Sequence, residues 1–217
     1  MLFRSFNAPD AALDPVQIVR RYADVRDREI VAFIAAGLAF GRVASIMASI
    51  EAVTAVMAPS PAAFVRGFDR RRDGAQLASF VHRWIKGREL TALFVTLRTM
   101  LEEFGSIEAC LAAGYHPSHE DVGPALDAFA ARGGKSYFFS RPSTGAACKR
   151  MNLFLRWMIR RDAVDPGGWT MIPPSKLVIP LDTHTIRLGQ CLRLTRRATP
   201  GWKMAVDITC ALRRFDP

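Results

Sequence analysis

Two residues in this sequence could do chemistry as a pair. Lys149 follows the turn-forming stretch Ser140-Arg-Pro-Ser-Thr-Gly-Ala-Ala-Cys, and Asp182 ends the stretch Ile179-Pro-Leu-Asp. A lysine amine becomes a nucleophile when it sheds its proton, and a carboxylate stabilises positive charge that develops on the atom attacked. Pro142 stops whatever precedes it, Thr144 is placed to cap, and Gly145 allows a backbone conformation closed to other residues. This predicts a helix over 146–161, with Met151, Leu153, Phe154, Trp157 and Met158 on its buried side and Lys149 in its first turn. The positive field of that helix N-terminus, with Arg150 adjacent, works against a charged ammonium. Asp165-Pro-Gly-Gly-Trp169 reads as a turn, a Pro-rich extended piece follows, and Asp182 reads as the N-cap of a helix over 183–192. The two side chains can then face each other across one cleft. Each alone has an ordinary reading, Lys149 as a surface lysine and Asp182 as a helix cap. Pro180 before Asp182, and His184 and Arg187 after it, are not required by a plain cap.

The elements that must position this pair are helical throughout. Residues 1–13 read as a poorly ordered lead-in, and Asp14-Pro15 as a helix start. Asp27 is placed to cap a second helix carrying Ile30, Val31, Phe33, Ile34 and Leu38, apolar nearly all round and therefore central. Gly41-Arg42 interrupts it before a third helix that runs to about Met57. Further helices are expected from Pro61 to near Phe68 and over 76–85, 89–104, 106–113 and 121–131, with the last starting at Thr199-Pro200. Arg70-Arg-Arg72 reads as a solvated corner, and His82 beside Trp84 as a satisfied core group. His116 and His119 straddle a proline without a third ligand at a recognised spacing, so no metal site is expected. No segment alternates with a strand period. The class is all-α, with one helical lobe over about 43–131 and a second over about 14–42 plus 135–217, the cleft lying between them.

Composition narrows the partners. The net charge of +10 suits a polyanion, because phosphate neutralisation supplies most non-specific affinity for DNA. The four cysteines share no C-x-x-C spacing and read as reduced thiols. No secretion signal is visible, and the apolar run from Ile30 to Phe40 is too short to span a bilayer, so a cytoplasmic protein without a membrane role is expected.

The pattern turn-Gly-x-x-x-Lys, an apolar helix, then Pro-Leu-Asp-Thr-His-x-x-Arg resembles the helix-hairpin-helix DNA glycosylases, which excise damaged bases. Lys149-Arg-Met-Asn-Leu-Phe-Leu-Arg-Trp-Met158, Asp27-Arg-Glu-Ile-Val-Ala-Phe-Ile34 and Leu38-Ala-Phe-Gly-Arg42 resemble an uncharacterised bacterial family of that superfamily over residues 14–217. The long gap between Lys149 and Asp182 is similar to that of the archaeal 8-oxoguanine glycosylases. Only Gly145 stands where the usual hairpin has two glycines, and relatives continue for another helix beyond Pro217. The resemblance implies a two-lobed glycosylase fold and double-stranded DNA with a damaged base as partner, 8-oxoguanine foremost. It also implies a monomer at the nucleoid. Lys149 would attack C1′ and Asp182 would support the sugar cation, giving a glycosylase and strand-nicking lyase. Thr144, Gly145 and Ala147 would seat a phosphate flanked by Arg42, Arg150, Arg156, His184 and Arg187. Phe40, Phe154, Trp169 and Trp202 would form the base pocket. No cofactor is expected, since only Cys191 and Cys210 follow Asp182 and the iron–sulfur cluster of some members needs four. Two alternatives stay open: a non-catalytic DNA-binding module, and a monofunctional glycosylase in which Asp182 activates water.

Overall fold

The apolar run of the second expected helix becomes the centre of the protein. The protein is described from a computed structural model over residues 14–215, so the expected lead-in over 1–13 lies outside the described residues. Helix α1 (Val16–Val19) is a single turn whose first N–H donates to the Asp14 carboxylate. Helix α2 (Val25–Leu38) is buried without a break from Glu29 to Leu38, which leaves it no solvent face. Its cap is Asp24, whose carboxylate accepts the Arg26 N–H at 2.8 Å, rather than the expected Asp27. Asp27 instead accepts from Ser60 Oγ and the Ala62 N–H, both at 2.8 Å, and so fastens the start of helix α4 (Pro61–Arg66) to α2. Between them lies α3 (Val43–Val56).

The expected helix over 76–85 is not formed. A 3-10 turn at Gly74–Leu77 leads into a two-stranded antiparallel hairpin, β1 (Val81–His82) and β2 (Ile85–Lys86), with His82 opposite Ile85. The reason is the burial pattern: His82 and Ile85 go inward while Arg83 and Trp84 stand in solvent. His82 lies within hydrogen-bond distance of Ser49 Oγ (2.8 Å) and the Phe40 carbonyl (3.0 Å), which makes it the satisfied core group expected.

Helix α5 (Gly87–Phe104) buries Leu90, Leu93, Phe94, Leu97, Met100 and Leu101 at helical spacing. It is followed by α6 (Ile107–Ala112) and α7 (Gly123–Arg132). Helix α8 (Lys149–Ile159) packs along α2 through Met151, Phe154, Leu155 and Met158, and Phe33 meets Phe154 edge-on at 5.2 Å. Helices α9 (Thr183–Cys191) and α10 (Trp202–Leu212) complete the chain. The expected capping at Thr199-Pro200 gives way to Gly201 as the N-cap of α10. The result is a mostly helical protein with a large hydrophobic core and a smaller cluster of Val178, Leu181, Met204, Ala205 and Ile208. No helix among the described residues is long and apolar enough to cross a membrane.

One buried acid ties several elements together. Glu29 on α2 is 2% exposed and accepts from the Ile107 and Glu108 N–H groups at the start of α6 and from Trp169 Nε1. Burial pushes its carboxyl up to about 7 even though all three donors act in the opposite direction. The folded state therefore binds this proton more tightly than the unfolded chain, whose carboxyl titrates near 4.5. The stability that Glu29 contributes is fully present below the unfolded value and is lost as pH rises from there to about 7, by on the order of 3 kcal/mol. Thermal melts across this window are expected to show that fall in the parent protein and to lose it in Glu29→Gln. An unchanged pH slope in the variant would assign it to other groups.

Candidate functional site

The turn before α8 is built from local hydrogen bonds rather than from the expected Thr144 cap. Pro142–Thr144 forms a single 3-10 turn, and the Thr144 hydroxyl donates to the Arg141 carbonyl at 2.7 Å. Asp127 on α7 anchors the turn by accepting from Arg141 and from the Ser143 N–H. The side-chain bond from Arg141 is the main reason the Asp127 carboxyl is held down at about 2. Gly145 follows at φ 80°, a left-handed conformation open to glycine at little cost. Its carbonyl accepts the Trp202 N–H at 3.1 Å, and a Cβ on Gly201 would lie 2.8 Å from the same oxygen, so α10 seats directly on the turn. The helical stretch starts three residues later than the expected position 146. Cys148, buried and at φ 50°, takes the N-cap position, and Lys149 becomes the first helical residue.

Lys149 is exposed there. Asp182 caps α9 as expected, its Oδ1 accepting the Thr185 N–H at 2.7 Å. Partial burial opposes its charge, but the Thr185 backbone and side-chain bonds and the charges of Lys149 and His184 outweigh it, and its carboxyl is held below its ordinary value. Lys149 forms no ion pair with Asp182 within 4.0 Å, and its charge is a smaller influence on the carboxylate than the two bonds from Thr185. The two residues are an amine at one helix N-terminus and an acid at another.

The other expected site residues divide. Arg42, Thr144, Gly145, His184 and Arg187 lie exposed, and Ala147 is half-buried, its carbonyl taken by Asn152. Arg150 points inward instead of outward. Its guanidinium donates to the Gly37 and Tyr137 carbonyls and lies 3.6 Å from the Tyr137 ring centroid, which makes it a tie between α8 and the end of α2. Arg156 is likewise committed to the buried Asp165 at 2.8 Å. Phe154 and Trp169 are core residues in edge-on contact at 5.1 Å, with no face for a ligand, and this corrects their place in a base pocket. Trp202 is half-buried at the start of α10, between the large core and the small cluster. Arg72, within the basic run, pairs with Asp73.

Phe40 keeps an accessible position, in company the sequence did not announce. Trp84 stacks on it with ring centroids 4.6 Å apart and planes 24° apart, and Tyr137 meets both rings edge-on. Trp84 and Tyr137 were missed because a helix over 76–85 would have hidden the two-residue hairpin tip that carries Trp84.

Between the Pro142–Gly145 turn and the start of α10 lies an open groove of about 650 Å³, lined also by Arg197, Thr199 and Lys203.

Residues 14–217 match the profile of a family described as "Protein of unknown function (DUF2400)". No curated protein and no solved structure matches the chain. This family assignment overturns the resemblance to the helix-hairpin-helix glycosylases and to their archaeal 8-oxoguanine members. The short motifs behind that resemblance, a turn glycine before a helix and an acid capping the next, are ones that ordinary helix termini produce.

Proposed function

We propose that this chain, which belongs to the DUF2400 family across residues 14–217, acts on DNA through Lys149 and Asp182. In this reading the Lys149 amine attacks C1′ of a nucleotide carrying a damaged base. The C1′–N bond to the base breaks as the new C1′–N bond to lysine forms, and the base leaves with a proton. The carboxylate of Asp182 stabilises the positive charge on the sugar. The C1′–O4′ bond of this adduct then opens as O4′ takes up a proton, leaving a Schiff base at C1′; loss of a C2′ proton breaks the C3′–O bond, which nicks the strand on its 3′ side. The observation that carries the proposal is an exposed amine at the N-terminus of α8 whose charge is felt by the carboxylate that caps α9. The net charge of +10 and the Arg197 and Lys203 edge of the groove beside Gly145 support DNA as the polyanion. The protein then works as a DNA-bound monomer in the cytoplasm, at the nucleoid. The identity of the damaged base is not part of the proposal, because 8-oxoguanine rested on the overturned resemblance alone.

The capping bond from Thr185 to Asp182 favours a second reading, a DNA-binding protein without chemistry, since capping already occupies one carboxylate oxygen. One experiment separates the two. An abasic duplex is incubated with the protein and borohydride at several salt concentrations, with binding followed in parallel. A covalent protein–DNA band supports the first reading, and salt-sensitive binding without a band or a nick supports the second. Absence of binding at low salt removes both.

A further inference from the structure

The hairpin tip presents a surface that the reaction at Lys149 does not itself require. Trp84 is 55% exposed, and Phe40 stacks on its indole. More than half of the Trp84 surface is thus open to solvent, with the Arg83 guanidinium above the ring. The platform is held from below: His82 bonds to the Phe40 carbonyl and meets the Phe40 ring at 4.7 Å, and Tyr137 closes the edge under the Arg150 guanidinium. Its rim is cationic. Arg83 lies 5.7 Å from the Trp84 ring centroid, and its side chain runs beside Gly41, the residue before exposed Arg42. Arg83 also sits at φ 53°, a left-handed position that turns usually give to Gly, Asn or Asp. An arginine there puts its charge at the tip despite the backbone cost.

We propose that the Phe40–Trp84–Tyr137 platform is a stacking site for an unpaired nucleobase, with Arg83 and Arg42 holding the phosphates on either side. A flat aromatic face edged by arginines fits a base and its backbone together, because stacking is indifferent to base identity and the cations follow the strand. The platform and the proposed reacting pair are tied to the same helix, since Arg150, which covers Tyr137, follows Lys149 in α8. The inference rests on the reading of DNA as the partner, but not on Lys149 being a nucleophile.

The test uses the Lys149→Gln protein, so that no strand is cut, and an oligonucleotide with one 2-aminopurine left unpaired in a bulge, beside a fully paired control. The unpaired probe is expected to bind more tightly than the control and to quench Trp84 fluorescence. Trp84→Ala is expected to weaken binding of the bulged probe by about tenfold or more, to leave the paired control unchanged and to abolish the quench, whereas Trp84→Phe keeps most of the affinity. A thermal melt of each variant checks that the hairpin still folds. Equal affinity for bulged and paired probes, or a bulged-probe affinity unmoved by Trp84→Ala, overturns the proposal, as does failure of the parent to bind either probe at low salt. Trp84-dependent binding in a protein that never traps an abasic site upholds the platform and removes only the lysine chemistry.

Discussion

Lys149→Gln is expected to abolish both borohydride trapping and strand nicking while damage-dependent binding persists. The argument is positional. Of the lysines near the proposed site, Lys149 alone is the first residue of α8 and alone acts on the Asp182 carboxylate. Lys203 lies on α10, and Lys176 donates to the Pro117 and His119 carbonyls, which holds it away from the groove. Glutamine keeps length and hydrogen-bonding capacity but has no amine to form a Schiff base. The substituted residue is exposed at a helix start, so stability should move by no more than about 0.5 kcal/mol. A covalent band of equal strength in the variant would show that another amine does the work. Base release without trapping, in parent and variant alike, would move the chemistry to water activated by Asp182.

Asp182→Asn carries the second large effect. Asparagine caps a helix about as well as aspartate, so the Thr185 N–H keeps an acceptor and the melting temperature should barely change. The charge that faces Lys149 and would face a developing sugar cation is lost, and base excision should fall on the order of 100- to 1000-fold. Single-turnover assays with substrate in limiting amount read this directly. Folding and activity lost together would make the residue structural only.

Features set by neighbouring residues were legible in the chain, and features set by distant contacts were not. Asp182 as the cap of α9 and the all-round burial of α2 followed from local rules, because an acid before a helix and an unbroken apolar run each have few alternatives. The cap of α2 was placed on Asp27 when Asp24 takes it. Both acids satisfy the local pattern, and only the approach of α4 assigns Asp27 elsewhere. Arg150 and Trp169 are expected to face a ligand and instead serve packing, while Phe154, which its helix pattern already puts on the buried side, serves packing alone. Their partners Tyr137, Phe33 and Glu29 are distant in sequence, and residue type alone does not say which way a side chain turns. The hairpin at Val81–Lys86 escaped for a related reason: with two residues per strand it offers no period to detect, and its register is fixed by what His82 meets across the fold.

The two members of the reacting pair do not share a foundation. Lys149 stands on a helix whose apolar side is sunk in the large core, whereas α9, behind Asp182, buries only Gly189, which rests on Ile208 of the small cluster. Regions with few buried apolar contacts open at lower free energy than the whole molecule. Amide hydrogens of α9 therefore exchange through a sub-global opening that leaves those of α2 and α8 protected. Such an opening would carry Asp182 away from Lys149 while the large core persists, and on the proposed function it would admit a bulky strand.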